Sequence, residues 1–395
     1  MRDPTPAGRR RRRCDELVRR AATASDVMGV FDAASRRLRS LAPYDAAAWV
    51  SADPVTGLPT GPALVEDVED ITQALCSEHW RREFVVDDVH LFRRLARAPV
   101  PAGALRASVE DPTASGRWRT FLRPLGFVDE LRVVLRAGGT AWGTVTLWRR
   151  QGRPRFGVDE VRLVAALSTP LGELLRGRHR PVAGPRPGAP PDPPGHLLFD
   201  AEAHLVAADD AGCRWLDELL AAEAPSARVP TDLGIDVPLW MVVLVLRAAV
   251  RGAGEGGASA RGRSAAGTWV ACHAGALRPA GAAGHVAVTV GPAAPAEVAP
   301  IVADAYELTT REREVAVLVA RGAGTAEIAT ALAVSPHTVR DHVRSALRKV
   351  GVGSRGELVA TLFADHVEPD RVRRVRRHPR SGPGSGAEAV SSELW

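Results

Sequence analysis

Residues 306–366 read YELTTREREVAVLVARGAGTAEIATALAVSPHTVRDHVRSALRKVGVGSRGELVATLFADH, and local signals divide this stretch into helices. A hydroxyl from Thr309 or Thr310 caps a first helix, and Gly322 and Gly324 end it. Apolar residues then recur at helical spacing through the rest of the stretch. The pattern predicts an all-α domain of four short helices.

The third of these predicted helices carries most of the charge. Ser335 caps it, and Pro336 takes the first helical position, where no backbone hydrogen bond is lost. One face is apolar through Val339, Val343 and Leu347, and the opposite face is basic with a single acid. A short helix, a tight turn and a longer basic helix form a helix-turn-helix, whose second helix can enter a major groove.

Three segments together resemble the LuxR-type DNA-binding domain: LTTREREV, EIATALAVSPHTVRDHV and LRKVGVGSRGELV. One departure is Thr310, where the family usually has proline, although a threonine there still lets a helix begin. The resemblance implies that the recognition helix, residues 335–350, binds double-stranded DNA in the major groove. It also implies a homodimer, with RNA polymerase as a further candidate partner.

The resemblance implies two sets of DNA contacts. Arg340, Asp341 and Arg344 are expected to face base edges, and His337 lies on the same exposed face. The residues expected nearer the DNA backbone are Thr325, Ser335, Thr338, His342 and Lys349. From the residues alone, Asp341 could accept a hydrogen bond from cytosine N4, or it could pair with Arg344 or Ser345. The alternative for the whole helix is a solvated amphipathic face.

Composition excludes several classes of enzyme. Lys349 is the only lysine among the 52 basic residues, and it lies in neither a P-loop nor the context of a Schiff-base enzyme. The four cysteines are too scattered for a disulfide framework or a zinc site, and the histidines lack metal-ligand spacing. We therefore predict that the protein is not an enzyme and has no catalytic or metal-binding residues. No cofactor is predicted, and an effector and its binding residues stay unknown.

The chain has no sequence signal for a membrane. Its longest apolar run, residues 239–246, ends at Arg247, far short of the roughly 20 residues that a membrane helix needs. Arg9 to Arg13 could begin an export signal, but no apolar region follows them. These features favour a cytoplasmic protein with no membrane partner.

Proline, glycine and charge patterns divide the 395 residues into modules. The predicted segments are a disordered basic arm (1–14), a first module (15–179), a proline-rich linker (180–195), a second module (196–300), a third module (301–369) and a disordered tail (370–395). Between Gly195 and Ala305 the chain is net acidic, so its basicity is concentrated near its ends.

The first module begins and ends with helical patterns that enclose strand-like runs. Gly138 and Gly139 separate two of these runs, ELRVVLRA and AWGTVTLWRR, and predict a hairpin turn. The order of elements, with its closing segment FGVDEVRLVAAL, resembles the GAF sensory domain.

The second module begins with HLLFDAEAHLVAADDAGCRWLDELL and ends with the alternating runs TWVACHAGAL and GHVAVTVGP. This order resembles a PAS-type sensor, with a turn at Asp200 to Ala203. The glycine-rich and alanine-rich stretch 252–267 is predicted to be a flexible loop. Its G-x-G-x-x-G spacing is followed by no helical pattern, which argues against a dinucleotide site.

The predicted fold class is multidomain: α+β sensory domains, GAF-like and then PAS-like, followed by an all-α four-helix LuxR-type helix-turn-helix domain. The leading functional hypothesis is a sequence-specific transcription regulator controlled by its upstream sensory and dimerisation modules. One alternative is an enzyme or ligand-binding signalling protein with an auxiliary helix-turn-helix. A protein-interaction scaffold is a third hypothesis, which the proline-rich linker favours.

Overall fold

A computed structural model of the chain describes residues 6–68, 73–180, 193–252, 256–278 and 284–364. The predicted tail and residues 181–192 of the predicted linker lie outside these ranges. The described residues form two α+β regions followed by a helical region. The predicted fold class is confirmed at this level, whereas the PAS-like assignment and the domain boundaries stay predictions.

The first module contains six helices and five strands. These are α1 Pro6–Ala22, α2 Val27–Leu38, β1 Ala46–Ala52, β2 Pro59–Glu66, α3 Gln73–Val85, α4 Phe92–Leu95, β3 Ala102–Ala104, α5 Leu105–Ser108, β4 Phe127–Ala137, β5 Thr140–Arg150 and α6 Val158–Arg178, with short helical turns at Pro112–Ala114 and Trp118–Leu122. The strands form one antiparallel sheet in the order β2-β1-β5-β4-β3. Helices α1, α2 and α6 cover one face of the sheet, and shorter helical segments cover the other.

Local sequence explains the two longest strands. Gly138 and Gly139 both adopt positive φ, as a two-residue hairpin turn requires, so the predicted hairpin between β4 and β5 is confirmed. Along β1, Ala47 and Trp49 point to the core under α1, α2 and α6, whereas Ala46 points to the opposite core. Both faces of the sheet are therefore buried.

The basic arm predicted as disordered is helical from Pro6 onward, so that prediction is wrong for residues 6–14. Helix α1 continues to Ala22, and Leu17 and Ala21 are fully buried in the core of the first module. Arginine is a good helix former, and the apolar residues that follow anchor the helix.

The second module contains seven strands and two helices. These are β6 Gly195–Asp200, β7 Leu205–Ala208, α7 Asp210–Leu220, β8 Arg228–Val229, β9 Val237–Pro238, α8 Leu239–Arg251, β10 Ala258–Arg263, β11 Trp269–Ala276 and β12 His285–Pro292, with a short helical turn at Pro225–Ala227. Five strands form an antiparallel sheet in the order β10-β11-β12-β6-β7. If only the five strands of each large sheet are numbered along the chain, both sheets have the strand order 2-1-5-4-3.

Of two local predictions for the second module, the structure confirms one and contradicts the other. The predicted turn after Asp200 is confirmed, with Ala203 at φ 68°. The flexible loop predicted over 252–267 is wrong where β10 pairs along its length with β11. Four of its six residues are Ala, Ser or Gly, which carry little strand preference of their own, so pairing with β11, the next strand along the chain, determines their conformation.

Helix α8 explains the longest apolar run of the sequence. It packs against strands of the second sheet on one side and against α3 and β2 of the first module on the other. Residues Trp240 to Leu246 are all buried. A helix that is apolar all round belongs in a protein interior. Among the helices of the described residues, none is long and apolar enough to cross a membrane.

Buried polar contacts also join the first two modules. Asp53 accepts a hydrogen bond from the backbone nitrogen of Arg261 at 3.0 Å, and the Thr60 hydroxyl donates to the Arg261 carbonyl at 2.9 Å. Glu223 accepts from the backbone nitrogen of Ala63 at 2.7 Å and from Trp240 Nε1 at 2.9 Å. Burial raises the pKa of Glu223 to about 7, although these hydrogen bonds oppose the change.

The third region comprises α9 Pro295–Ala305, α10 Thr310–Ala320, α11 Thr325–Leu332, α12 Pro336–Val350 and α13 Arg355–Val359, with a final helical turn at Ala360–Ala364. Helix α9 runs across the predicted boundary between residues 300 and 301. Val298, Ile301 and Val302 on α9 are completely buried in the same core as α6. The helical region is thus packed onto the first module through α9.

Candidate nucleic-acid interface

Helix α10 is fixed at both ends by its sequence. Thr309 is the residue that caps it, and Glu312 Oε2 accepts a hydrogen bond from the Thr309 nitrogen at 2.7 Å. At the other end Gly322 adopts φ 85°, and Ala323 N donates to the Leu318 carbonyl at 3.0 Å. This is the Schellman ending that glycine favours.

The turn between α11 and α12 is equally local. Ala333 adopts the left-handed conformation at φ 53°, and Val334 N donates to the Ala329 carbonyl at 3.0 Å. Ser335 caps α12 by accepting from Thr338 N at 3.1 Å, and Pro336 follows as predicted. The chain therefore makes a helix, a tight turn and a longer helix.

The inner face of α12 holds it against its neighbours. Val339 and Val343 lie in a small core with Val315 of α10 and Ile328 of α11. Ala346, on the same helix, is fully buried in the larger core that includes α9. These contacts leave only the opposite side of α12 open to a ligand.

The outer face of α12 carries the predicted charged residues. His337, Arg340, Asp341, Arg344 and Arg348 are exposed. Within the described ranges, Arg340 makes no hydrogen bond or ion pair. Arg348 makes one long contact with Ser345, at 3.4 Å, and sequence analysis did not place it among the site residues although it continues the same stripe. The helical spacing of Arg340, Arg344 and Arg348 was the signal for including it.

Asp341 pairs within its own helix. Its carboxylate lies 2.8 Å from His337 Nδ1 and 3.0 Å from Arg344 Nη1. The sequence left several roles open for Asp341. In the structure it pairs with Arg344, and His337 is a second partner. In the free protein the acid therefore neutralises part of the stripe and holds Arg344 in a defined position.

The residues expected near the DNA backbone differ in burial and in the hydrogen bonds that they already make. Thr338 and His342 are half-buried on the flank of α12, and the Ser335 hydroxyl contacts the Thr338 hydroxyl at 2.9 Å. The Thr325 hydroxyl accepts a hydrogen bond from Arg355 Nη2 at 2.8 Å. All four lie at or near the start of a helix or on its flank, and their contacts with DNA stay predictions.

Lys349 makes internal contacts. Its Nζ lies 2.7 Å from Glu312 Oε2 and 2.9 Å from the Glu307 carbonyl oxygen. Burial of Glu312 opposes ionisation, but hydrogen bonds from Lys349, Ser345 and Thr309 hold its pKa at about 2. The ammonium group thus joins the end of the recognition helix to the start of α10.

The same corner also contacts the first module, at a junction formed by Thr140, Arg176, Asp304 and Glu307. Arg176 of α6 lies 2.9 Å from the Glu307 carboxylate, and the Thr140 hydroxyl donates to Asp304 at 2.8 Å. Glu307 is therefore bonded through its side chain to the first module and through its carbonyl to Lys349 of α12. Sequence analysis missed this junction because its partners lie far apart in the chain.

Comparisons with known proteins identify the family to which the helical region is similar. Residues 306–362 match GerE, the luxR family of bacterial regulatory proteins. The spore germination protein GerE of Bacillus subtilis (strain 168) is 46% identical over 56 residues, which are 14% of this chain and 76% of that protein.

Two solved structures overlap with larger parts of the chain. A crystal structure of Escherichia coli SdiA, 13% identical, covers 90% of this chain and 98% of its own at a TM-score of 0.32. The cyanobacteriochrome TePixJ GAF domain, 17% identical, covers 40% of this chain and 94% of its own at a TM-score of 0.29. In the part of the chain that the structure describes, no group of three or more His, Cys, Asp or Glu side chains could hold a metal ion.

Proposed function

Since the chain belongs to the luxR family of bacterial regulatory proteins, it is a DNA-binding transcription regulator, and we propose that helix α12 enters the major groove of duplex DNA. The observation that carries this proposal is the exposed stripe of Arg340, Arg344 and Arg348 on a helix whose other face is buried. A planar guanidinium group can bond guanine O6 and N7 together. Arg340 and Arg344 are the proposed base-reading residues.

The remaining predicted residues have supporting roles in this proposal. Ser335 and Thr338 lie at the first turn of α12, where hydroxyl and backbone N–H groups suit phosphate oxygens. Thr325 begins α11, and His342 flanks α12. We leave Lys349 out of the proposed DNA contacts because its ammonium group is held by Glu312.

We expect Arg340→Ala or Arg344→Ala to weaken binding to the cognate site by about 1–3 kcal/mol and to relax base preference at one position. The cognate site is first obtained by selecting bound sequences with the full chain, and affinities are then titrated at one salt concentration. Arg162→Ala, an exposed arginine on α6, serves as the control and should leave affinity unchanged. Equal affinity and preference in the wild type and the Arg340/Arg344 double variant would contradict the proposal.

We also propose that the protein binds DNA as a homodimer. One recognition helix of this length reads only a few base pairs, and half-sites one helical turn apart match a two-fold symmetric pair of helices. Helix α9 is buried in the core of the first module, which fixes the position of each helix-turn-helix relative to that module. A dimer can therefore hold two recognition helices at one spacing.

A dimer predicts that two correctly spaced half-sites bind the full chain roughly 100 to 10,000 times more tightly than one half-site. The measurement is a titration of both DNAs at equal salt, with a third DNA whose half-sites are moved apart by half a helical turn as the control. The shifted DNA should lose most of the gain. If all three DNAs bind alike, the protein acts on DNA as a monomer.

The upstream modules are proposed to be GAF-like and PAS-like sensors that regulate DNA binding. Support comes from the shared strand order of the two sheets and from the contacts that link Glu307 to both Arg176 and Lys349. A change in the first module can reach α12 along these contacts. We further propose that the protein works in the cytoplasm, by binding and without enzymatic activity, and that RNA polymerase is a partner.

A further inference from the structure

A cleft of about 570 Å³ lies where the first module meets the second. The first module lines it with the turn between β1 and β2 and with parts of α3 and α4. The second module lines it with the end of α8 and the start of β10. This volume is within the range of sites for small organic ligands.

Four arginines surround the cleft, two from each module. Arg93 and Arg97 belong to α4 or follow it, and Arg247 and Arg251 end α8. Among the described residues that line the cleft, Glu83 is the only acid. Its carboxylate already accepts hydrogen bonds from Arg132 Nη2 at 3.0 Å and Phe92 N at 2.5 Å, so it is committed elsewhere.

None of the four arginines pairs with a carboxylate among the described residues. Arg93 donates to the carbonyl oxygen of Glu83, and Arg251 donates to that of Gly257 at 3.2 Å. Arg247 is half-buried, with its guanidinium 5.2 Å from the centre of the Phe84 ring. Arg93, Arg97 and Arg251 are exposed, so the cleft carries a cluster of positive charges that the described carboxylates do not neutralise.

The electrostatics at Arg247 agree with that geometry. Partial burial lowers its pKa, and the neighbouring positive charges of Arg251 and Arg93 lower it further. The three cations therefore repel one another across the boundary between the two modules. An anion placed among them would turn this repulsion into attraction.

The rest of the lining suits the body of an organic molecule. Trp80, Phe84 and Phe92 supply aromatic surface, and hydroxyls come from Thr56 and Ser259. Apolar walls with a few polar groups are typical of small-molecule sites. A phosphate group offers three acceptor oxygens and close to two negative charges, so a cluster of guanidinium groups favours it over a carboxylate with two oxygens and one charge.

We propose that this cleft binds a small organic phosphate, which bridges Arg93 and Arg97 of the first module and Arg247 and Arg251 of the second. The phosphate supplies negative charge to the arginine cluster, and the apolar part of the ligand lies on the aromatic side chains. The ligand thereby ties together the two modules that precede the DNA-binding helices. This site is distinct from the α12 surface and does not depend on how α12 contacts DNA.

The test is calorimetric titration of the full chain, without DNA and at constant ionic strength, with ATP, AMP and adenosine as probes. ATP should bind, AMP should bind more weakly, and adenosine should bind at least tenfold more weakly than ATP. Arg93→Gln/Arg247→Gln should weaken ATP binding at least tenfold. Arg97→Gln alone should weaken it several-fold, and this exposed side chain has no bond among the described residues that its loss would break.

Two controls locate the binding. Arg94→Gln changes the neighbour on α4, which pairs with Asp87 and does not line the cleft, and it should bind ATP as the wild type does. Arg340→Ala/Arg344→Ala should also retain ATP binding, because the probe is not expected on α12. The proposal is overturned if ATP does not bind, if adenosine binds equally well, or if Arg97→Gln and the Arg93/Arg247 variant bind like the wild type.

Discussion

Asp53→Ala should lower the free energy of unfolding by about 3–5 kcal/mol, the usual cost of removing one partner from a buried ion pair. Asp53 is fully buried, and its Oδ2 lies 3.1 Å from Arg261 Nε and 3.0 Å from the Arg261 backbone nitrogen. Its Oδ1 accepts from Val55 N at 2.8 Å and from Thr56 N at 3.2 Å. The alanine leaves three backbone donors without their acceptor and a buried guanidinium without its counter-charge.

The effect is measured by urea denaturation of the full chain, followed by circular dichroism. Asp32→Ala is the matched control, because Asp32 forms an exposed ion pair with Arg36 along one helix. Such pairs contribute about 0.3–0.5 kcal/mol. A loss below 1 kcal/mol for Asp53→Ala would mean that Asp53 and Arg261 do not hold the first two modules together.

The first two modules are joined by direct contacts and not by the linker alone. Asp53 and Thr60 contact β10, Glu223 contacts β2, and α8 packs against α3, so the first two modules share a polar and apolar boundary. A conformational change in one of these modules is therefore expected to alter the other as well. The arginine cleft lies on this same boundary.

The helix-turn-helix could be predicted from sequence because its signals are local. Thr309, Ser335 and Pro336 act within three residues of their own positions, and the glycine after α10 ends that helix by its own conformation. The exposed stripe of α12 follows from helical spacing alone. These elements need no distant partner to be recognised.

Other elements depend on partners outside their own segment and were predicted incorrectly or missed. Strand β10 forms by pairing with β11, although four of its six residues are Ala, Ser or Gly. Residues 6–14 of helix α1 were predicted to be disordered because arginines dominate them, whereas Leu17 and Ala21, later in the helix, anchor it to the core. The bond between Glu312 and Lys349, 37 residues apart, was missed because no sequence pattern indicates it.

Lys349→Met should lower the free energy of unfolding of the helix-turn-helix region by about 2 kcal/mol at pH 7. Moving the pKa of Glu312 from 4.5 to about 2 corresponds to about 3 kcal/mol, and Lys349 supplies part of this beside Ser345 and Thr309. Because the folded state lowers this pKa, the stabilisation is complete above pH 4.5 and is lost as the pH falls towards 2. The difference between wild type and variant should therefore shrink over that interval.

Urea denaturation at pH 7 and pH 3 measures this difference, with Arg348→Met as the control. Arg348 is the exposed neighbour of Lys349, and its one contact is with Ser345, so its loss should change stability by less than 0.5 kcal/mol. The opposite outcome would support the contact between Lys349 and a DNA phosphate that the family resemblance implies. In that case Lys349→Met would leave stability unchanged, weaken binding to all DNA sequences alike and reduce the salt slope by about one.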